Sequence, residues 1–137
     1  RYVPGSVLDR AALAAATAGM GCVIHIAAWH GIHERDGSKD VHDFWELNVR
    51  GTFEVCEAAA RAGVGRLVLV SSTSVRRPKT VYGQSKVLAE QVVAGYALRH
   101  GMRVAVLRPR AFVPHTNRAL YQTFAEWVGW FARGGVH

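Results

Sequence analysis

Tyr82 and Lys86 are the residues whose types and spacing most directly indicate chemistry. They lie four positions apart in the run Val-Tyr-Gly-Gln-Ser-Lys (81–86), so on a helix their side chains share one face. Ten residues before Tyr82, the run Leu-Val-Leu-Val-Ser-Ser (67–72) predicts a buried strand that ends in two hydroxyl side chains. A strand ending in serine, followed by a helix that opens with Tyr-x-x-x-Lys, places proton-handling groups at one sheet edge. Such a set can move a proton on or off an alcohol oxygen.

A predicted alternation of strands and helices must position these groups, beginning in the first third of the chain. Residues 3–8 are predicted to be the end of a strand, and Asp9 to cap a short alanine-rich helix over about 10–18. The nearly continuous apolar run 22–28 predicts a strand that is buried on both faces. The stretch 29–42 is polar and rich in His, Gly and charged residues, so it predicts a loop.

The same alternation continues to the end of the chain. The sequence predicts a helix over about 43–62, a strand at 66–71, a helix over 82–100, a strand at 103–107 and an amphipathic helix over about 118–132. Apolar strands that alternate with helices at this spacing indicate right-handed βαβ crossovers. The predicted fold class is therefore α/β, with a parallel sheet and helices on both of its faces.

The composition of the chain limits the classes of protein to which it can belong. The 137 residues are 50% hydrophobic and contain no long uncharged apolar stretch, which favours a single globular domain without a membrane partner. The net charge of +7 comes from scattered arginines without interleaved aromatic residues, so we expect no nucleic-acid partner. Cys22 and Cys56 form no C-x-x-C or metal spacing, which favours reduced thiols in a cytoplasmic protein. His30 and His33 lack a third ligand at a recognisable spacing, so we expect no metal site.

Five segments in this order resemble the middle of an extended short-chain dehydrogenase/reductase, of the NAD-dependent epimerase/dehydratase family. Tyr-x-x-x-Lys alone is common by chance, whereas five segments in register are specific. The resemblance implies a Rossmann-like fold and an NAD or NADP cofactor. The matching segments are Val-Ile-His-Ile-Ala-Ala (23–28), Asn-Val-Arg-Gly-Thr (48–52), Leu-Val-Leu-Val-Ser-Ser-Thr-Ser-Val (67–75), Val-Tyr-Gly-Gln-Ser-Lys (81–86) and Leu-Arg-Pro (107–109).

The resemblance implies a catalytic role for three side chains. Tyr82 would be the acid/base, and Lys86 would favour its ionised form and bind the ribose of the cofactor. Ser72 aligns with the residue that holds the substrate oxygen, and Ser71 is the adjacent alternative and a cofactor neighbour. Considered without the resemblance, Tyr82 and Lys86 would more often be a surface pair, and the serines ordinary capping residues.

The resemblance also implies cofactor contacts away from the triad. Ala27 and Ala28 match small residues that let the backbone pass close to the cofactor, and Trp29 follows at a position that borders it. Pro109 falls where a loop of the family meets the nicotinamide. Asn48 matches a residue that ties its helix to the neighbouring strand near the cofactor, but it could equally be a buried polar group satisfied by backbone. His25 we expect to be a satisfied core histidine.

Departures from the family pattern indicate a partial domain. No Gly-rich pyrophosphate loop is present, because Gly19-x-Gly21 and Gly63-x-Gly65 lack its spacing and context. The chain also begins mid-pattern with Arg1, so we expect 1–137 to be one partial NAD(P)-binding domain, with 110–137 the start of a substrate-binding region. The isolated chain is then expected to aggregate or to need a partner segment, and to bind NAD(P)H weakly.

The predicted function is that of an NAD(P)-dependent enzyme acting on a secondary alcohol or ketone. The resemblance favours a nucleotide sugar as substrate, transient oxidation followed by epimerisation or dehydration, and a possible homodimer. One alternative is a reductase of the 3β-hydroxysteroid or dihydroflavonol type, which the short loop between Ser72 and Tyr82 favours. The other is a non-catalytic NAD(P)-sensing regulatory protein, which the intact tyrosine counts against.

Overall fold

A three-stranded parallel sheet forms the centre of the computed structural model, which describes residues 4–110. Strands β1 (Val23–His25), β2 (Arg66–Val70) and β3 (Arg103–Leu107) lie in that order. His25 pairs with Leu69, and Leu69 in turn pairs with Val106. The three strands therefore end at the same edge of the sheet, and the predicted α/β Rossmann-like fold class is confirmed.

Helices connect the strands and supply the second layer. The bounds are α1 (Arg10–Thr17), α2 (Gly31–Arg35), α3 (Val41–Phe44), α4 (Gly51–Arg61) and α5 (Val81–His100), with a π-helical segment (Trp45–Arg50) between α3 and α4 and a 3-10 helix (Thr73–Arg76) after β2. Because α3, the π-helical segment and α4 follow one another without a break, they form one continuous helical stretch in the crossover from β1 to β2.

Local side-chain chemistry determines where these helices begin. As predicted, Asp9 caps α1, and its carboxylate accepts hydrogen bonds from the N–H groups of Ala11 and Ala12. Asp40 caps α3 in a reciprocal capping box with Asp43, so the crossover helix begins at Val41 rather than at the predicted 43. The predicted loop 29–42 also contains α2.

The core lies between the sheet and the pair α4 and α5. Leu67 and Leu69 of β2 are each 1% exposed and face the buried apolar side chains of both helices. Full burial of a leucine side chain contributes about 1.5–3 kcal/mol, so this layer accounts for much of the packing energy. The helix residues in this cluster are Val55, Cys56 and Ala59 of α4 and Ala89 and Val93 of α5.

The opposite face of the sheet is open in the part of the chain that the structure describes. Ile24 and Ile26 are each 63% exposed and Leu107 is 52% exposed. Strand β1 is also limited to three residues, so the expectation that 22–28 is a strand buried on both faces was wrong for this structure. A continuous apolar run is suited to a strand that is covered on both faces, whereas within residues 4–110 only one face of this sheet is covered.

Residues 4–8 form a turn rather than the predicted end of a strand. The N–H of Asp9 donates to the carbonyl of Ser6 at 2.9 Å, and the N–H of Leu8 donates to the Ser6 hydroxyl at 3.1 Å. Local acceptors therefore take the donors that a strand would offer to a neighbour. The predicted helix at 118–132 and the predicted substrate-binding start at 110–137 lie outside the described residues, apart from residue 110. No helix found between residues 4 and 110 is both long enough and apolar enough to cross a membrane.

Candidate active site

The first turn of α5, which carries Tyr82, has each of its leading N–H groups bonded to a side chain. Thr80 is the N-cap, and its hydroxyl accepts from the N–H of Gly83 at 3.0 Å. The N–H groups of Val81 and Tyr82 donate to the two carboxylate oxygens of Glu34, both at 2.9 Å. A helix start leaves such donors without intrahelical partners, so these bonds fix the position of the turn.

The Tyr82 side chain is buried by the segment that follows β1. It is 8% exposed, and its ring lies 5.3 Å from the His30 ring and 6.4 Å from the Phe44 ring, measured between centroids. A Cβ placed on Gly31 would come within 3.0 Å of Tyr82 Cδ1. A larger residue at 31 would therefore press on the tyrosine ring, which would have to shift by a few tenths of an ångström.

Lys86 lies one turn further along α5 and is also buried. It is 4% exposed, and its Nζ donates a 2.8 Å hydrogen bond to the carbonyl of Val70 at the end of β2. Burial lowers the Lys86 pKa to about 8, and the charge of Glu90 opposes that shift. An ammonium group has three donors, so the bond to Val70 leaves two N–H groups for another acceptor. The cation thus lies next to Ser71, the residue that follows Val70.

The two candidate serines differ in how their hydroxyl groups are engaged. Ser72 caps the 3-10 helix: its hydroxyl accepts from the N–H of Ser74 at 3.2 Å and donates to the Ser74 hydroxyl at 3.1 Å. Ser71 is 3% exposed, and its hydroxyl has no hydrogen-bond partner among the described residues. The Glu90 pKa is lowered first by its hydrogen bond from Arg108 and next by the nearby Ser71 hydroxyl, which lies outside hydrogen-bond geometry. A buried hydroxyl without a partner is a site where a ligand oxygen could bind.

Asn48 joins the loop after β1 to helix α5. It is 1% exposed, its Oδ1 accepts from the Trp29 N–H at 2.7 Å, and its Nδ2 donates to the Trp29 carbonyl at 3.1 Å. Nδ2 also donates to the Ser85 hydroxyl at 2.9 Å, which in turn donates to the Tyr82 carbonyl at 2.8 Å. The buried amide thus connects two of the segments that flank the predicted site, and its contact with a cofactor stays a prediction.

His25 is held as a neutral core histidine. Its Nε2 lies 2.9 Å from the Thr52 hydroxyl, which donates its single proton to the Asn48 carbonyl at 2.6 Å. The hydroxyl can therefore only accept from His25, so the proton of the neutral ring is on Nε2. Burial, with a smaller contribution from the Lys86 charge, lowers the His25 pKa to about 4.

The remaining predicted cofactor residues lie at the edge where the three strands end. Ala27 is exposed, and Ala28 and Trp29 are partly buried in the loop after β1. Pro109 follows β3 at the same edge, where its carbonyl accepts from the N–H of Thr73 at 3.5 Å. Ligands of open parallel sheets bind outside the carboxyl ends of the strands, so these positions fit a cofactor site.

Two residues of this site were not predicted from the sequence. Glu34 was assigned to a loop, and its contact with α5 spans 48 positions, so no local pattern could have indicated it. Ser85 follows Tyr82 by three positions on the same helix, and residues at that spacing are neighbours, so its contact with Tyr82 could have been predicted from the sequence. Within residues 4–110, three or more histidine, cysteine or acidic side chains do not gather into a possible metal site.

The sequence is similar to those of known proteins. Residues 1–119 match the profile of the NAD dependent epimerase/dehydratase family. A UDP-glucose 4-epimerase of Streptomyces lividans is 31% identical over 112 residues, which cover 72% of this chain and 33% of that protein. Human 3 beta-hydroxysteroid dehydrogenase type 7 is 38% identical over 78 residues, which cover 57% of this chain and 20% of that enzyme.

Solved structures show the same relationship in three dimensions. The structure of DesIV, a dTDP-glucose 4,6-dehydratase from Streptomyces venezuelae, was determined with NAD bound. It superposes with a TM-score of 0.77 at 26% identity, covering 99% of this chain and 46% of DesIV. The chain thus spans less than half the length of each of these relatives. The match over residues 1–119 establishes that the chain belongs to the NAD-dependent epimerase/dehydratase family.

Proposed function

We propose that these residues form the catalytic part of an NAD(P)-dependent oxidoreductase that acts on a secondary alcohol or ketone. The observation that carries the proposal is the buried Lys86 ammonium, which is bonded to the end of β2 one helical turn from the buried Tyr82. Burying a cation is costly, and a partner carbonyl satisfies only one of its three donors. This arrangement is expected where the cation has a further ligand.

Tyr82 is proposed as the group that exchanges a proton with the substrate oxygen. Lys86, one helical turn further along α5, is proposed to supply the positive charge at the reacting oxygen. The serine hydroxyl at the end of β2 holds the substrate oxygen in place for this transfer, with Ser72 favoured by the family alignment. NAD or NADP supplies, when bound, the nicotinamide that accepts and returns the hydride.

The residues present fit the ribose end of such a cofactor. Two N–H donors of Lys86 and the unpartnered hydroxyl of Ser71 are the groups that hydroxyl oxygens would satisfy. Ala27, Ala28 and Trp29, together with Pro109, are proposed to line the cofactor from the loops after β1 and β3. Asn48 holds the first of these loops against α5.

A nucleotide sugar is the proposed substrate, with epimerisation or dehydration after transient oxidation. The support is the likeness to the Streptomyces lividans epimerase and to DesIV. The second candidate is oxidation of a 3β-hydroxysteroid, which the human relative and the short connection between Ser72 and Tyr82 favour. A homodimer, a cytoplasmic location and a substrate-binding role for 110–137 are further parts of this proposal.

The test uses the full-length protein that contains these residues, incubated with NAD⁺ or NADP⁺ and one of three probes. The probes are UDP-glucose, dTDP-glucose and a 3β-hydroxysteroid, and products are separated by chromatography. Tyr82→Phe should lower kcat by about 10²–10⁴, the usual contribution of a positioned acid/base. Tyr96→Phe is the matched control, because this tyrosine lies on the same helix and bonds to Glu57 at 2.7 Å. Wild-type turnover by Tyr82→Phe would disprove the assigned role.

A further inference from the structure

We propose that Glu34 is a positioning residue for Tyr82, acting through the backbone at the start of α5. The inference rests on the proposed function of Tyr82, and it concerns a residue to which the sequence resemblance assigned no role. Its carboxylate accepts from the N–H groups of Val81 and Tyr82, both at 2.9 Å. Glu34 lies on the short helix α2, so the contact joins two separate elements of the fold.

The first N–H groups of α5 depend on this carboxylate for an acceptor. The N-cap Thr80 bonds only the N–H of Gly83 with its side chain, which leaves the first two N–H groups of the helix without a partner of their own. Glu34 supplies one oxygen to each of them. A carboxylate at a helix N-terminus also interacts favourably with the helix dipole, and such charge-assisted bonds are stronger than neutral ones.

The segment that carries Glu34 also forms the wall against the Tyr82 ring. His30 lies 5.3 Å from that ring, and a Cβ on Gly31 would come within 3.0 Å of Tyr82 Cδ1. Residues 30–34 therefore contact Tyr82 at both its backbone and its side chain. Without the carboxylate bonds, the ring can shift together with this wall, and a displacement near 1 Å costs about 10² in rate at a reacting group.

The nearby acidic side chains do not duplicate this role. Asp36 bonds the N–H of Ser38, and Asp40 and Asp43 bond each other's backbone within α3. Glu46 pairs with Arg50 in the exposed part of the π-helical segment. Among the described residues, Glu34 is thus the acidic side chain on this side of the site that is bonded to the helix of Tyr82.

The experiment compares Glu34→Ala and Glu34→Gln in the full-length protein, with Glu46→Ala as the matched control. Hydrogen–deuterium exchange of the peptide over 80–84 needs no substrate. We expect exchange at Val81 and Tyr82 to become at least tenfold faster in Glu34→Ala. The glutamine variant keeps one acceptor oxygen and should restore part of the protection, whereas the control should match wild type. Unchanged exchange in Glu34→Ala would overturn the inference.

Measuring kcat and KM then distinguishes a positioning role of Glu34 from a role in the stability of the fold alone. For the probe that the wild type converts, Glu34→Ala should lower kcat about 10- to 100-fold and change KM for NAD⁺ less than twofold, with partial rescue by Glu34→Gln. Faster exchange with unchanged kcat would show a purely structural role and overturn the inference. Tyr82→Phe is assayed in parallel. If that variant stays active the proposed function fails, whereas an inactive Tyr82→Phe beside a fully active Glu34→Ala disproves the positioning role alone.

Discussion

Lys86 Nζ lies 2.8 Å from the carbonyl oxygen of Val70, so the buried cation of helix α5 is bonded directly to the end of the central strand. This bond places a titratable positive charge at the end of the strand that the two serines follow. The charge is sensitive to pH, because burial lowers the Lys86 pKa to about 8.

Cofactor affinity should therefore fall in alkaline solution. The folded Lys86 loses its proton as pH rises through about 8, whereas in the unfolded chain it stays charged to about 10.5. We expect NADH binding to the full-length protein, followed by fluorescence titration, to weaken progressively above pH 8. Lys86→Met should bind NADH weakly already at pH 7 and show no further change through pH 8. Equal wild-type affinity at pH 7 and pH 10 would contradict the role of the ammonium.

The two serines should respond differently to replacement by alanine. Ser72→Ala should lower kcat by about 10² or more if the aligned hydroxyl holds the substrate oxygen. Ser71→Ala removes a buried hydroxyl that has no partner, so the free energy of unfolding should stay equal or rise slightly. Steady-state kinetics and urea unfolding of both variants check this. A large loss of kcat only in Ser71→Ala would move the catalytic assignment by one residue.

Asn48 should be more important for stability than its position in the middle of a helix indicates. Asn48→Leu removes the partner of the Trp29 N–H, the Trp29 carbonyl and the Ser85 hydroxyl. The Ser85 hydroxyl keeps its bond to the Tyr82 carbonyl, so two groups of Trp29 are left unbonded. Each costs about 1–3 kcal/mol, so we expect the free energy of unfolding to fall by about 2–6 kcal/mol. Urea unfolding measures the loss, and a decrease below about 0.5 kcal/mol would show that the loop finds other partners.

Protonation of His25 should destabilise the protein in acid. Its pKa is about 4 when folded and about 6.5 when unfolded, so the unfolded state binds the proton first as pH falls. Its contribution is fully present above pH 6.5 and is lost towards pH 4, which amounts to about 2 kcal/mol between pH 7 and pH 5. His25→Gln should show a flatter dependence of unfolding free energy on pH over this range. Replacing the exposed His42 by Gln should leave the wild-type slope, and an equal change in both variants would contradict the assignment.

Local patterns predicted the parts of this site that depend on neighbouring residues. The cap at Asp9, the end of α5 at Gly101 with its φ of 64°, and the Tyr82–Lys86 spacing all follow from interactions within one or two turns. Contacts between distant segments were not predictable in this way. Glu34 reaches α5 across 47 and 48 positions, and the exposure of Ile24 depends on which elements cover the sheet.

The π-helical segment between α3 and α4 makes the hydrogen-bond pattern of this crossover a constraint on the site. Phe44, Asn48 and Thr52 are all buried at steps of four, although a regular helix turns about 40° beyond a full circle in four residues. The wider π turn absorbs that excess and keeps the three side chains on one face. Restoring regular α-helical hydrogen bonds through 45–50, at unchanged chain length, would turn the preceding helix by about 40° and move Phe44 relative to the Tyr82 ring. The hydrogen-bond pattern of a single helical turn, with every candidate site residue intact, therefore helps to build the wall of the site.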